Sequence, residues 1–78
     1  MKDIYTVIIH DDGEVSTVSF LNRADAMSYA VSEITESMPV DANEVAEELD
    51  RQMFWSDGNG YKVYIEEAKL CNSFDGKL

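Results

Sequence analysis

The spacing of apolar and polar positions changes along the chain, and each spacing predicts an element. Residues Asp3 to His10 hold the run Ile4-Tyr5-Thr6-Val7-Ile8-Ile9, rich in the β-branched and aromatic types that suit a pleated surface, and read as a strand. Val15 to Phe20 read as a second strand. Asp11-Asp12-Gly13-Glu14 between them is hairpin chemistry, because Gly takes positive φ freely and Asp tolerates it, so the two strands are expected to be antiparallel neighbours.

The period then becomes helical. Asn22 caps and Asp25 sits in the first turn, after which Ala26, Met27, Ala30, Val31, Ile34 and Met38 recur on one stripe that Pro39 ends. Asp41 with Glu44 three residues on resembles a capping box, and Val45, Ala46, Leu49 and Met53 supply the stripe of a second helix closed by Phe54 and Trp55. After a turn at Ser56-Asp57-Gly58-Asn59-Gly60, the span Tyr61 to Ala68 alternates, with Tyr61, Val63 and Ile65 on one face and Lys62, Tyr64 and Glu66 on the other. The expected architecture is α+β: a three-stranded antiparallel sheet in the order β-β-α-α-β along the chain, with two helices packed on one face. Residues 1–70 form the single domain and 71–78 a loose C-terminal tail, loose or pinned by Phe74. The first strand is apolar on both faces and is expected to be central. Its second face is either shielded by helices and tail or left as a dimer or partner surface.

Composition narrows the function. At 78 residues the chain suits one domain, since domains of this size bury about 60% of their unfolded surface and leave little room for an internal active site. Its aromatic and branched residues exclude an acidic disordered chain. The single cysteine, Cys71, forms no internal disulfide, and with no signal-like or membrane-spanning run a cytoplasmic protein is expected, in the host cytoplasm if phage-encoded. Sixteen acidic against six basic residues give a formal charge of −10, which disfavours direct contact with nucleic acid or a membrane surface and favours basic proteins as partners.

Candidate chemistry follows from a few side chains. His10 stands beside Asp11 and Asp12, where a carboxylate orients an imidazole as a base, yet no nucleophile accompanies it and a hairpin histidine serves equally as an exposed polar residue. Asp57-Gly58-Asn59-Gly60 begins like a calcium loop and lacks the later glutamate, so turn formation explains it; ligands for zinc and a phosphate-cradling loop are also missing, and no cofactor is expected. The aromatic residues lack the basic groove of a base-stacking platform, while Trp55 and Tyr64 could anchor a protein interface.

The carboxylates carry more. Glu44, Glu47 and Glu48 share a helix face at a like-charge spacing that costs tenths of a kcal/mol per pair, only partly offset by Arg51. Asp11, Asp12 and Glu14 gather at the hairpin, Glu33 and Glu36 lie on the first helix, and Asp57, Glu66 and Glu67 surround the last strand. Such self-repulsion fits a surface built to meet a positive one; solubility or a saline habitat accounts for the same composition.

A short, acidic, intracellular α+β chain opening on a hairpin resembles in type the small counter-defence proteins of bacteriophages, the anti-CRISPR and anti-restriction proteins, several of which imitate nucleic acid. The resemblance implies a non-enzymatic inhibitor, monomer or homodimer, whose carboxylates stand in for phosphates in the Lys and Arg channel of a basic nucleic-acid-binding protein. Glu44, Glu47 and Glu48 are the first partner-binding candidates, then Asp11, Asp12 and Glu14, then Glu66 and Glu67. The alternative is a small structural or regulatory domain, dimeric through its first strand, whose acidity serves solubility.

Overall fold

The computed structural model describes residues 2–70. It is an α+β fold in which β1 (Lys2–Asp11), β2 (Glu14–Phe20), α1 (Arg23–Ser37), α2 (Ala42–Gln52), β3 (Phe54–Ser56) and β4 (Tyr61–Leu70) follow one another. The sheet has four strands in the order β2-β1-β4-β3, every neighbouring pair antiparallel. The expectation of three strands is therefore corrected by β3. The expected tail, 71–78, lies outside the described residues, and the last strand runs to Leu70, past the expected Ala68.

The hairpin forms as its turn residues require. Asp12 (φ 54°) and Gly13 (φ 94°) both take positive φ, the conformation of a tight turn whose twist matches the strands it joins. From there the register pairs Asp11 with Glu14, Ile9 with Ser16, Val7 with Val18 and Tyr5 with Phe20. β1 is central, paired on its other side with β4, so that Ile9 meets Val63 and Val7 meets Ile65.

Both helices start on side-chain caps. The Asn22 carboxamide oxygen accepts the Asp25 backbone N–H at 2.8 Å while its amide donates to the Asp25 carboxylate at 2.9 Å. The Asp41 carboxylate accepts the N–H groups of Asn43 and Glu44 at 2.7 and 3.4 Å, satisfying donors that have no partner inside the helix. α1 stops where Met38 turns extended before Pro39, and α2 stops differently. Met53 takes a left-handed conformation (φ 58°), its N–H still bonded to the Leu49 carbonyl at 2.8 Å. That single residue reverses the chain, and its own carbonyl accepts the Ile65 N–H at 3.0 Å. Phe54 and Trp55, expected to close the helix, instead enter β3 and pair with Tyr64 and Val63.

The core lies between the helices and one face of the sheet. Val7 and Ile9 of β1, Tyr61, Val63 and Ile65 of β4 and Trp55 of β3 pack with Ala26, Ala30 and Ile34 of α1 and Val45 and Leu49 of α2. Alanine at two of the α1 contact positions lets that helix approach the strands closely. The opposite face carries Ile4, Thr6, Ile8 and His10 of β1 beside Tyr64 of β4 and Phe54 of β3, all half-buried. Neither helix covers it, and its aromatic side chains pack on one another: the Tyr64 ring lies 4.9 Å from Phe54 and meets His10 edge-on at 5.6 Å, centroid to centroid.

Candidate functional site

The acidic side chains are placed by three separate parts of the fold. α2 is held to the core by Val45 and Leu49, which leaves Glu44 and Glu47 exposed on its outer surface and Glu48 half-buried. Glu48 is anchored, since its carboxylate accepts the Gln52 amide at 3.0 Å one turn later. These three carboxylates share one helix surface, as their spacing requires. Arg51, expected to offset them, is exposed; the residue that pairs with α2 is Arg23 at the start of α1. Its guanidinium lies 3.0 Å from the Asp50 carboxylate and also donates to the Asp50 carbonyl at 3.2 Å, tying the beginning of α1 to the end of α2.

At the hairpin end, Asp11 and Asp12 line a shallow polar cleft of about 530 Å³ with Asp57, Asn59, Gly60 and Tyr61. The Asp12 N–H reaches the Gly60 carbonyl at 3.4 Å, joining the hairpin tip to the β3–β4 turn. Asp57 is occupied by that turn, because one carboxylate oxygen accepts the N–H groups of Asn59 and Tyr61 at 2.7 and 3.1 Å. Among the described residues, no three histidine, cysteine or acidic side chains converge as ligands for one metal ion. Glu14 stands directly across the ladder from Asp11, a like-charge pair that weakens the end of the hairpin.

Glu66 and Glu67 do not form one cluster. Glu66 is paired with Thr6 and lies on the face away from the helices, whereas Glu67 is paired with Tyr5 on the helix side and accepts the Tyr5 hydroxyl at 3.4 Å. Loss of hydration raises the Tyr5 phenol above its usual pKa of 10.0, and the charges of Glu67 and Asp3 push it further. Burial likewise raises Tyr61, against a smaller opposing effect of its hydrogen bond with Ser37. His10 packs on Tyr64 rather than forming a hydrogen bond to a neighbouring aspartate, and Cys71 lies outside the described residues.

One feature escaped the sequence reading: Arg23 makes the ion pair that joins the helices. β2 is an edge strand, as a central β1 implies, and its residues from Glu14 to Ser19 are all exposed. The run Val15–Phe20 is free of ionisable groups in an otherwise acidic chain, which was a readable signal.

The electrostatic arrangement is one of unmatched charge. Among the residues whose side chains are described, Arg23 and Asp50 alone come within ion-pair distance, and most of the other described carboxylates are exposed. An exterior of this kind attracts a cationic surface over roughly the 10 Å screening length of 0.1 M salt. No helix among the described residues is long and apolar enough to cross a membrane. Comparison with known proteins finds no matching family, no matching curated protein and no matching solved structure.

Proposed function

We propose that this protein is a non-enzymatic acidic binding module that inhibits a basic, nucleic-acid-binding protein, its carboxylates taking the place of nucleic-acid phosphates. A CRISPR effector or a restriction complex is the kind of target this reading has in view. The observation that carries it is the unmatched charge: a formal −10 with a single ion pair among the described residues. Pairing all six basic residues would still leave ten carboxylates unmatched, and a surface carrying that excess favours rapid, steered association with a positive partner.

The α2 surface is the leading contact. Its three glutamates are displayed on a helix anchored in the core by Val45 and Leu49, so their positions are held without ordering a loop on binding. The hairpin aspartates form a second acidic patch at one end of the sheet, and Glu66 stands apart from both, on the face away from the helices.

The test is capture from a lysate of the source cell or its host, with identification of what is retained and elution by rising salt. Reversing Glu44, Glu47 and Glu48 to lysine moves the formal charge from −10 to −4, two units per residue. The expected result is a retained nucleic-acid-binding protein, released by salt and lost by at least about tenfold in affinity on the triple reversal, with the far-ultraviolet spectrum unchanged. Equal retention by the reversed variant, or a partner indifferent to salt, contradicts the proposal.

A further inference from the structure

The two edges of the sheet are built differently, and the difference identifies a second interaction surface. At one edge β3 covers β4 only from Lys62 to Tyr64, and the part of β4 that runs on past it carries Glu66 and Glu67. Short edge strands and charged side chains are the usual means by which a sheet discourages further pairing. The other edge has neither device. β2 runs for seven residues, contains no proline or lysine, and bears its one charge at its first position, Glu14. Of the four exposed large apolar residues among those described, three lie on or directly after it: Val15, Val18 and Leu21, exposed by 58%, 37% and 65%.

We propose that β2 pairs antiparallel with β2 of a second copy of this chain, about a two-fold axis at Thr17. The hairpin register sets which backbone groups are available. Its two-residue turn makes Asp11 and Glu14 the hydrogen-bonded closing pair, so hydrogen-bonded and non-hydrogen-bonded pairs alternate along β2 and the N–H and C=O groups of Val15, Thr17 and Ser19 point to the open edge. A two-fold at Thr17 is the register that pairs the whole strand with itself. It sets Val15 against Ser19, Ser16 against Val18 and Thr17 against its own copy, and it places Glu14 opposite Phe20 rather than opposite another Glu14. Leu21 then meets Gly13 of the second hairpin, where no side chain obstructs it.

Charge selects this occupant. A basic segment would gain most from the acidic α2 surface or the Glu66–Glu67 edge, whereas the uncharged run Val15–Phe20 offers it nothing, and a neutral strand is what self-pairing of an acidic protein needs. Pairing also joins two four-stranded sheets into one of eight strands with the uncovered faces of both copies on the same side. A seven-residue strand pair is smaller than the roughly 1,600 Å² of a standard stable interface, so the dimer is reversible and concentration-dependent. Since each copy carries −10, salt strengthens it, opposite to the salt response expected for a basic partner.

Sedimentation equilibrium of the full chain in reductant, at about 0.05 and 0.5 M NaCl, tests the proposal. The expected result is a monomer–dimer equilibrium that tightens severalfold at the higher salt. Thr17→Lys, which sets two cations side by side on the axis, and Thr17→Pro, which removes an outward N–H without removing a β1 hydrogen bond, each weaken it by at least tenfold while circular dichroism stays native. Ala68→Lys, on the uncovered face away from β2, leaves it unchanged. A monomer under all conditions overturns the proposal, as does a dimer indifferent to a folded Thr17 variant or equally sensitive to Ala68→Lys.

Discussion

The outer surface of α2 and the open edge of β2 are both exposed, both rest on the same core, and differ in almost every other respect. α2 shows glutamates from a helix pinned by Val45 and Leu49; β2 shows hydroxyls, valines and unpaired backbone groups from a strand with a single charge at its start. The contrast teaches that net charge is a poor guide to what a small protein binds until the fold has distributed it. Under the two proposals, one region meets a cationic surface and the other a neutral strand, and ionic strength is expected to drive the two associations in opposite directions.

The comparison is broken most severely by removing the core that both regions share. Leu49 is fully buried beneath the glutamates, and Leu49→Ala is expected to cost about 2–5 kcal/mol, enough in a domain of this size to abolish capture and dimerisation together. Urea unfolding followed by tryptophan fluorescence measures it, with Trp55 in the same core as reporter. A cost of only a few tenths of a kcal/mol would mean that α2 is not packed as described.

Asp41→Ala sharpens the contrast by acting on one region alone. It removes the acceptor for two N–H groups at the start of α2 and is expected to cost about 1 kcal/mol, with weaker partner capture and an unchanged β2 equilibrium in the folded fraction. The smallest effect is alkaline. Burial raises the Tyr61 phenol above 10.0, so the folded state favours its neutral form; the resulting stability is complete below pH 10 and is lost as pH rises through the elevated folded value. Urea midpoints measured from pH 9 upward should decline, and Tyr61→Phe should flatten the part due to this residue. A midpoint that rises with pH would reverse the assigned direction.

Much of the fold could be read because local chemistry and tertiary structure agree. Asp12-Gly13 predicts a tight turn and adopts one; Asn22 and Asp41 predict helix starts and serve as caps; Tyr61, Val63 and Ile65 alternate inward as their spacing requires. β3 was hidden because the helical stripe of α2 continues through Met53, and the reversal there uses left-handed backbone at a methionine, where no glycine announces it. Its partner choice is also non-local: Phe54 and Trp55 become a strand because β4 offers them an edge.

The candidate site was legible as an amount of charge and less so as a place. Glu44, Glu47 and Glu48 share a surface because helical spacing demands it. Glu66 and Glu67 were grouped as neighbours in sequence, although strand alternation already assigns adjacent residues to opposite faces, and the sheet separates them accordingly. The open edge was legible in part: a central β1 leaves β2 at the margin of the sheet and Val15–Phe20 shows its lack of charge, but the strand that covers the far side of β4 depends on a non-local pairing.

The most direct test of the proposed function is competition between this protein and duplex DNA for the captured partner, measured by fluorescence anisotropy of a labelled duplex. The account predicts mutually exclusive binding, in which the wild-type chain displaces the duplex completely and the Glu44, Glu47 and Glu48 reversal does not. A stable ternary complex, with the duplex still bound at saturating protein, would contradict it.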